Sequence, residues 1–231
     1  FLINFFPIID NCNKAINIIR NNEGKGQYAS NKEYAAQRLS EVLFNRAYSY
    51  YNLNTILGDI YFSTTSSITL PSNYVYTRTP AEEMYKVFIS DLRYAVDKLA
   101  SHGIKLVLEA INTKDIPGFF VNNTRQALNI IHDVNHPDFR YQYDIYHMQI
   151  MEGNIATTIK NNLNNIGHIQ IASAPDRHEP DNGEINYPWL LEKLERINYH
   201  DWIGCEYYPA GNTAEGLSWL HKINHNLSKK Y

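Results

Sequence analysis

Leu106-Val107-Leu108-Glu109 is a short apolar run that ends on a carboxylate, and three later stretches repeat the pattern. Tyr141-Gln142-Tyr143-Asp144, Gly167-His168-Ile169-Gln170-Ile171 and Trp202-Ile203-Gly204-Cys205-Glu206 each read as a buried strand delivering an oxygen-bearing side chain at or near its end. These side chains stand 35, 26 and 36 positions apart, and each interval is long enough for one strand-plus-helix unit. Strands joined by helical crossovers pair in parallel with one hand, so their C-terminal ends emerge on the same side. Four oxygen donors gathered there make a site for a hard divalent cation.

The segments between these strands carry helical periodicity. Ala127, Leu128, Ile130, Ile131 and Val134 predict a helix over 124–134, and further helices are expected at about 154–165 and 188–197. Asn212-Thr213-Ala214-Glu215 reads as a cap opening a last helix through Leu220. Loops are expected from Ala110 to Asn122, from Asp144 through Gly153 and from Ser173 to Asn186. The unit of strand, loop and helix recurs four times.

The front of the chain has a different grammar. A helical face over 8–22 (Ile8, Ile9, Cys12, Ala15, Ile16, Ile19) runs into a loop at Asn22-Glu23-Gly24-Lys25-Gly26. A long second helix is expected from about Ser30 to Leu57, stopped by Gly58-Asp59. Residues 60–78 read as an extended surface loop with one short strand. Thr79-Pro80-Ala81-Glu82 has the form of a capping box for a third helix, which Gly103 closes. The fold class is therefore α/β, a helical front joined to about four parallel strands alternating with helices; the resemblances described below imply its division into a helical segment, residues 1–92, and a partial (β/α) barrel, residues 93–231.

Composition bounds the partners. A formal charge of −3 lacks the basic footprint of a nucleic-acid binder. Cys12 and Cys205 form no CxxC pair, so neither a disulfide framework nor a zinc site is indicated. No apolar run has the length of a membrane span. Phe1–Phe6 is apolar but lacks a basic start and a small-residue cleavage site, so it is not read as a signal peptide; without an initiator Met the chain reads as a fragment or a processed product.

Glu109, Asp144, Gln170 and Glu206 supply only oxygen, which suits Mg or Mn better than Zn or Cu. A cation there would polarise a 2-hydroxycarbonyl compound, and Glu109 and Glu206 are the natural pair to take a proton from one carbon and return it to the next. His147, three residues after Asp144, is placed to hydrogen-bond a substrate oxygen, and Arg177 to clamp a substrate carboxylate. Taken singly, each has a blander reading: an acidic residue at a strand end commonly caps the next helix, and a single Arg is usually a surface ion pair. Four oxygen donors in register favour the shared site.

Two resemblances follow from particular motifs. Leu108-Glu109-Ala110-Ile111-Asn112, Asp115-Ile116-Pro117-Gly118-Phe119, Gln142-Tyr143-Asp144-Ile145-Tyr146-His147-Met148-Gln149, Gly167-His168-Ile169-Gln170-Ile171-Ala172, Gly183-Glu184-Ile185-Asn186-Tyr187 and Gly204-Cys205-Glu206-Tyr207 resemble the C-terminal half of hydroxypyruvate isomerases, within the xylose-isomerase-like TIM-barrel superfamily. That resemblance implies Glu109, Asp144, Gln170 and Glu206 as metal ligands, Glu109 and Glu206 as the proton-transferring pair, and hydroxypyruvate as the small-molecule substrate, converted to tartronate semialdehyde. It also implies a cytoplasmic location. Ser173-Ala174 departs from the Asp-Asn usual there, and a modest change in loop packing is expected.

Ala36-Gln37-Arg38-Leu39, Phe44-Asn45-Arg46-Ala47-Tyr48-Ser49-Tyr50-Tyr51, Leu57-Gly58-Asp59-Ile60 and Thr77-Arg78-Thr79-Pro80-Ala81-Glu82-Glu83-Met84-Tyr85 resemble SusD/RagB-like glycan-binding outer-membrane lipoproteins. This half implies a cell-surface location. Arg46 and Tyr48 are expected to serve helix packing rather than a sugar. The first reading is an isomerase-type site on a half-barrel; the alternatives are a glycan-binding module and a fusion fragment without function. An open half-barrel leaves sheet edges and core uncovered, so either the front helices or a second copy of the chain is expected to cover them.

Overall fold

The computed structural model describes residues 5–22, 25–26, 31–57, 59–65, 75 and 77–220. The turn expected at Glu23-Gly24, the helix start near Ser30, the stop at Gly58 and most of the loop after Thr65 lie outside the described residues. The chain divides into two compact units: Phe1–Leu106 with His132–Phe139, and Val107–Ile131 with Arg140–Tyr231.

The first unit is built on α1 (Phe5–Asn21), α2 (Lys32–Leu57) and α3 (Ala81–Ala100), with a small antiparallel pair, β1 (Ile60–Tyr61) and β2 (Arg78–Thr79). Apolar residues at helical spacing form its core in two clusters, one around Ile9, Leu53 and Met84 and the other around Ile16, Leu39 and Leu43. One polar cluster ties all three helices. Arg46 of α2 grips Asp91 of α3 through Nε and Nη2, both at 3.0 Å, and donates from Nη1 to Asn13 Oδ1 of α1 at 3.0 Å. All three side chains are buried, so Arg46 is a packing residue, as its place on a helix face predicts, whereas Tyr48, expected to pack as well, is exposed on α2.

The expected capping box does not form. Thr79 is taken up by β2, paired with Ile60, and the helix begins after Pro80 with no side-chain cap from its own box. The exposed Ala81 N–H is satisfied instead by Asp59 Oδ1 at 3.0 Å. At the other end Gly103 adopts φ +72°, the left-handed conformation that glycine enters without a Cβ clash, while Ile104 N–H returns to Leu99 O.

The sheet, which but for Leu106 and Phe139 falls in the second unit, has the order β3 (Leu106–Glu109), β4 (Phe139–Asp144), β5 (Ile166–Ile171), β6 (Ile203–Cys205). β4–β5 and β5–β6 are parallel. This is the arrangement expected of part of a TIM barrel, with helices on the crossovers. α4 (Thr124–Val134), α6 (Ile155–Asn162, continued as a 3-10 turn over Leu163–Asn165) and α7 (Tyr187–Arg196) fall where the periodicity places them.

Alternation sorts the strand residues. Phe139, Tyr141, Tyr143, Ile166, Ile169 and Ile171 are buried. In register across the sheet, Gln142 sits beside His168, Asp144 beside Gln170, and Gln170 beside Gly204.

Two segments differ from expectation. Residues 145–151, read as loop, form α5 (Ile145–Met151) because Asp144 caps them. The last helix is short: α8 (Thr213–Gly216), capped by Asn212 Oδ1 on Glu215 N–H, breaks at Leu217 before helical backbone resumes at residues 218–220.

The loop after β5 is tied to its neighbours. Tyr187 donates its hydroxyl to Ala172 O at 2.7 Å and accepts from Ala172 N–H at 3.2 Å. Ser173, where the resemblance led us to expect Asp, is buried and accepts His178 N–H on Oγ. Gly183, at φ +103°, faces Ala174 O so closely that any Cβ would collide with it.

Candidate functional site

Asp144 ends β4 and starts α5, and its two oxygens divide the work. Oδ1 accepts from the backbone N–H groups of Tyr146 (2.8 Å) and His147 (3.3 Å). Oδ2 is buried with no hydrogen-bond partner. The helix cap thus aims the second oxygen. Glu109, at the end of β3, is arranged likewise: Oε2 accepts from Gln142 Nε2 at 2.9 Å, and Oε1 is buried without a partner. Two orphaned carboxylate oxygens are a pair of buried acceptors that a cation or a donor-bearing ligand would satisfy.

His147 stands over both. Its Nε2 lies 3.8 Å from Glu109 Oε1 and 3.7 Å from Asp144 Oδ2, and Glu109, Asp144 and His147 offer ligand atoms all within 4.8 Å of one another. Its tautomer is fixed from behind. The Asn112 backbone N–H points at His147 Nδ1 (3.3 Å), and so does Asn112 Nδ2 (2.7 Å). The Asn112 amide is itself oriented by Asp115, whose N–H donates to Oδ1 (2.7 Å) and whose Oδ2 accepts from Nδ2 (3.0 Å). Nδ1 is therefore the acceptor and the proton sits on Nε2. That makes His147 a hydrogen-bond donor into the site rather than a ligand.

A line of amides crosses the sheet. Gln142 Nε2 contacts Gln170 Oε1 at 2.5 Å as well as Glu109, and Gln170 Nε2 donates to Glu206 Oε2 at 2.5 Å. Glu206 lies one residue past β6, half-exposed, and its Oε1 is 3.2 Å from Arg177 Nη2. Gln170 and Glu206 thus join Glu109 through Gln142, and Arg177 links Glu206 to Asp144. All six residues singled out from the sequence lie at this end of the sheet. Gln142, Asn112 and Asp115, which knit them together, stood within quoted motifs but carried no assigned role.

The charges are strained by burial. Desolvation, with the neighbouring Asp144 and Glu206, lifts the Glu109 carboxyl to about 7. Burial lifts Asp144 to about 6 against the pull of its backbone hydrogen bonds and Arg177. Burial and Arg177 push His147 down to about 4, so the ring is neutral at pH 7. Asp115 goes the other way: its partial burial is outweighed by hydrogen bonds from Asn112 and Tyr146, and its carboxyl lies below the ordinary value.

Comparisons with known proteins bear on both parts of the chain. Residues 63–223 match the family model described as xylose isomerase-like TIM barrel, and residues 3–114 match one described as starch-binding associating with outer membrane. A 2-oxo-tetronate isomerase from Pectobacterium atrosepticum is 48% identical over 58% of this chain and 51% of its own length. A hydroxypyruvate isomerase from Escherichia coli is 45% identical over 64% of this chain and 59% of its own. Among solved structures, an AP endonuclease family 2 protein from Brucella melitensis superposes with a TM-score of 0.59 at 45% identity, covering 61% of this chain and 55% of that one. The chain spans about half the length of the curated relatives it matches.

Proposed function

The chain belongs to the xylose isomerase-like TIM barrel family, and we propose that the acid cluster at the end of its sheet is the site of a divalent-cation-dependent isomerase. Its substrate is a small hydroxy-keto acid of the hydroxypyruvate type, in line with the named relatives. The observation that carries this reading is the pair of buried, unpartnered oxygens, Glu109 Oε1 and Asp144 Oδ2, facing one donor-bearing imidazole.

Glu109, Asp144, Gln170 and Glu206 would hold the cation. An all-oxygen set with two acceptors lacking any other partner fits Mg or Mn. When bound, such an ion polarises the substrate's adjacent carbonyl and hydroxyl oxygens and so acidifies the C–H between them. The rest falls to the protein. Arg177 holds the substrate carboxylate, and His147 Nε2–H donates to a substrate oxygen. One of Glu109 and Glu206 takes the proton from C3 of hydroxypyruvate, and the other delivers one to C2. The proton of the C3 hydroxyl passes to the C2 oxygen, so the C2 carbonyl becomes a hydroxyl and the C3 hydroxyl an aldehyde, with no net change in protons or electrons.

Among the described residues β3 and β6 have no further strand beside them. A second copy of the chain, supplying four more strands, is the partner that suits this reading. The test is Mn or Mg binding by calorimetry together with turnover of hydroxypyruvate. Glu109→Gln should abolish turnover and weaken the cation by at least about tenfold. Absence of cation binding at millimolar concentration would sink the reading.

A second reading applies to the first unit. The starch-binding family model covers it, and α2 exposes Tyr34, Phe44 and Tyr48, with the Phe44 and Tyr48 rings stacked at 6.4 Å. Such a face suits sugar stacking. A change in tyrosine fluorescence on adding malto-oligosaccharide, indifferent to chelator, would support it.

A further inference from the structure

Arg177 reaches the acid cluster from a tightly specified backbone. Its φ is +56°, a left-handed conformation that a non-glycine residue adopts only when its surroundings impose it. They do so from both sides: Arg177 N–H donates to Ser173 O at 3.0 Å, and its carbonyl accepts from Tyr208 N–H at 2.8 Å. The guanidinium then lies between the rings of Tyr146 and Tyr208, 5.0 and 5.9 Å from their centroids.

From there Nη2 stands 3.2 Å from Glu206 Oε1, 3.9 Å from Asp144 Oδ2 and 3.4 Å from His147 Nε2. The last contact sets a donor against a donor, because Asn112 holds the imidazole proton on Nε2. The guanidinium is therefore kept in place by the carboxylates' charge and not by the histidine. Asp144 and Glu206 are also two of the oxygens assigned above to the divalent ion. A guanidinium and a divalent cation cannot both sit within about 4 Å of the same two carboxylates without strong repulsion.

We infer that Arg177 is the internal counter-ion of this acid cluster and competes with the divalent cation for Asp144 and Glu206, so that cation binding frees the guanidinium to take a carboxylate-bearing ligand. This rests on the reading of Asp144 and Glu206 as cation ligands. The tyrosine faces and the clamped backbone keep the released guanidinium at the mouth of the site, where an anion is its next partner. Cation and anionic substrate then bind with positive coupling, and the coupling is reciprocal. Neutral hydroxy-ketones gain nothing from the exchange.

The competition is measured with Mn2+ alone, counting the free ion by electron paramagnetic resonance, on the wild-type chain and on Arg177→Ala. The variant should bind Mn2+ about tenfold more tightly. Hydroxypyruvate should tighten Mn2+ distinctly more on the wild type than on the variant, the difference being the share of the coupling that the freed guanidinium adds. Equal or weaker Mn2+ binding by a variant with native near-ultraviolet dichroism overturns the competition while leaving the cation site standing. Failure of Mn2+ to bind either protein removes the cation reading and this inference with it. A measurement on the wild type alone guards against a variant that does not fold. The Arg177 side-chain Nε–H resonance should move on saturation with Mg2+, and a resonance that stays put rejects the release.

Discussion

With Nδ1 committed to Asn112, neutral His147 carries its proton on Nε2, and nitrogen-15 chemical shifts of the imidazole should report that tautomer down to about pH 4. Asn112→Ala removes the side-chain donor but keeps the Asn112 backbone N–H on Nδ1, so the tautomer should hold while the ring loosens, and under the proposed roles KM should rise more than kcat falls. The carboxylates titrate with the opposite sign. Glu109 is lifted to about 7 by burial, so the folded chain binds a proton there that the unfolded chain has released. The stability contributed is complete below the ordinary carboxylate value and is lost as pH rises through about 7. In chelator at pH 8, Glu109→Gln should therefore be more stable than the wild type, by roughly 1–3 kcal/mol, with the gap closing by pH 5. Denaturant melts at the two pH values check this; a gap that widens toward acid would refute it. Glu109, Asp144, Gln170 and Glu206 were legible in the sequence because each stands where an apolar run ends. Gln142 was not: it lies mid-strand, and nothing in a single sequence says which neighbour its amide will meet.

Local elements were legible where one cause acts and illegible where two compete. The helix over Thr124–Val134 follows from spacing alone. The capping box at Thr79 failed because the same residue is wanted by β2, and Asp59, 22 positions upstream of the Ala81 N–H it accepts from, took over its task. Asp59→Ala should cost about 1 kcal/mol, and Thr79→Ala distinctly less, measured by urea melts. α5 was missed for the converse reason. An acidic residue ending a strand can bind a cation or cap the next helix, and here Oδ1 makes the cap while Oδ2 is left without a hydrogen-bond partner. In the first unit, Arg46→Ala strands Asp91 and Asn13 in the interior and should cost about 3–5 kcal/mol. Replacing Arg46 and Asp91 together by Met and Leu should recover most of it.

Across the molecule, separate cores predict separate melting. The first unit packs around Ile9, Leu53, Met84, Ile16 and Leu43, and the second has its own cluster at Tyr146, Ala172 and Ala174. Calorimetry should resolve two transitions, and Mg2+ should raise only the one belonging to the sheet-bearing unit. A single transition moved as a whole by the ion would contradict this. One bond reported above gives that measurement a local clock. The Tyr187 phenol closes over both polar groups of the Ala172 peptide, and Tyr187 itself rides on α7. Deuterium cannot reach the Ala172 amide until that ring lifts away. Its uptake rate therefore times the detachment of one helix from the sheet, two residues past the glutamine at the end of β5, with no label added and no residue changed.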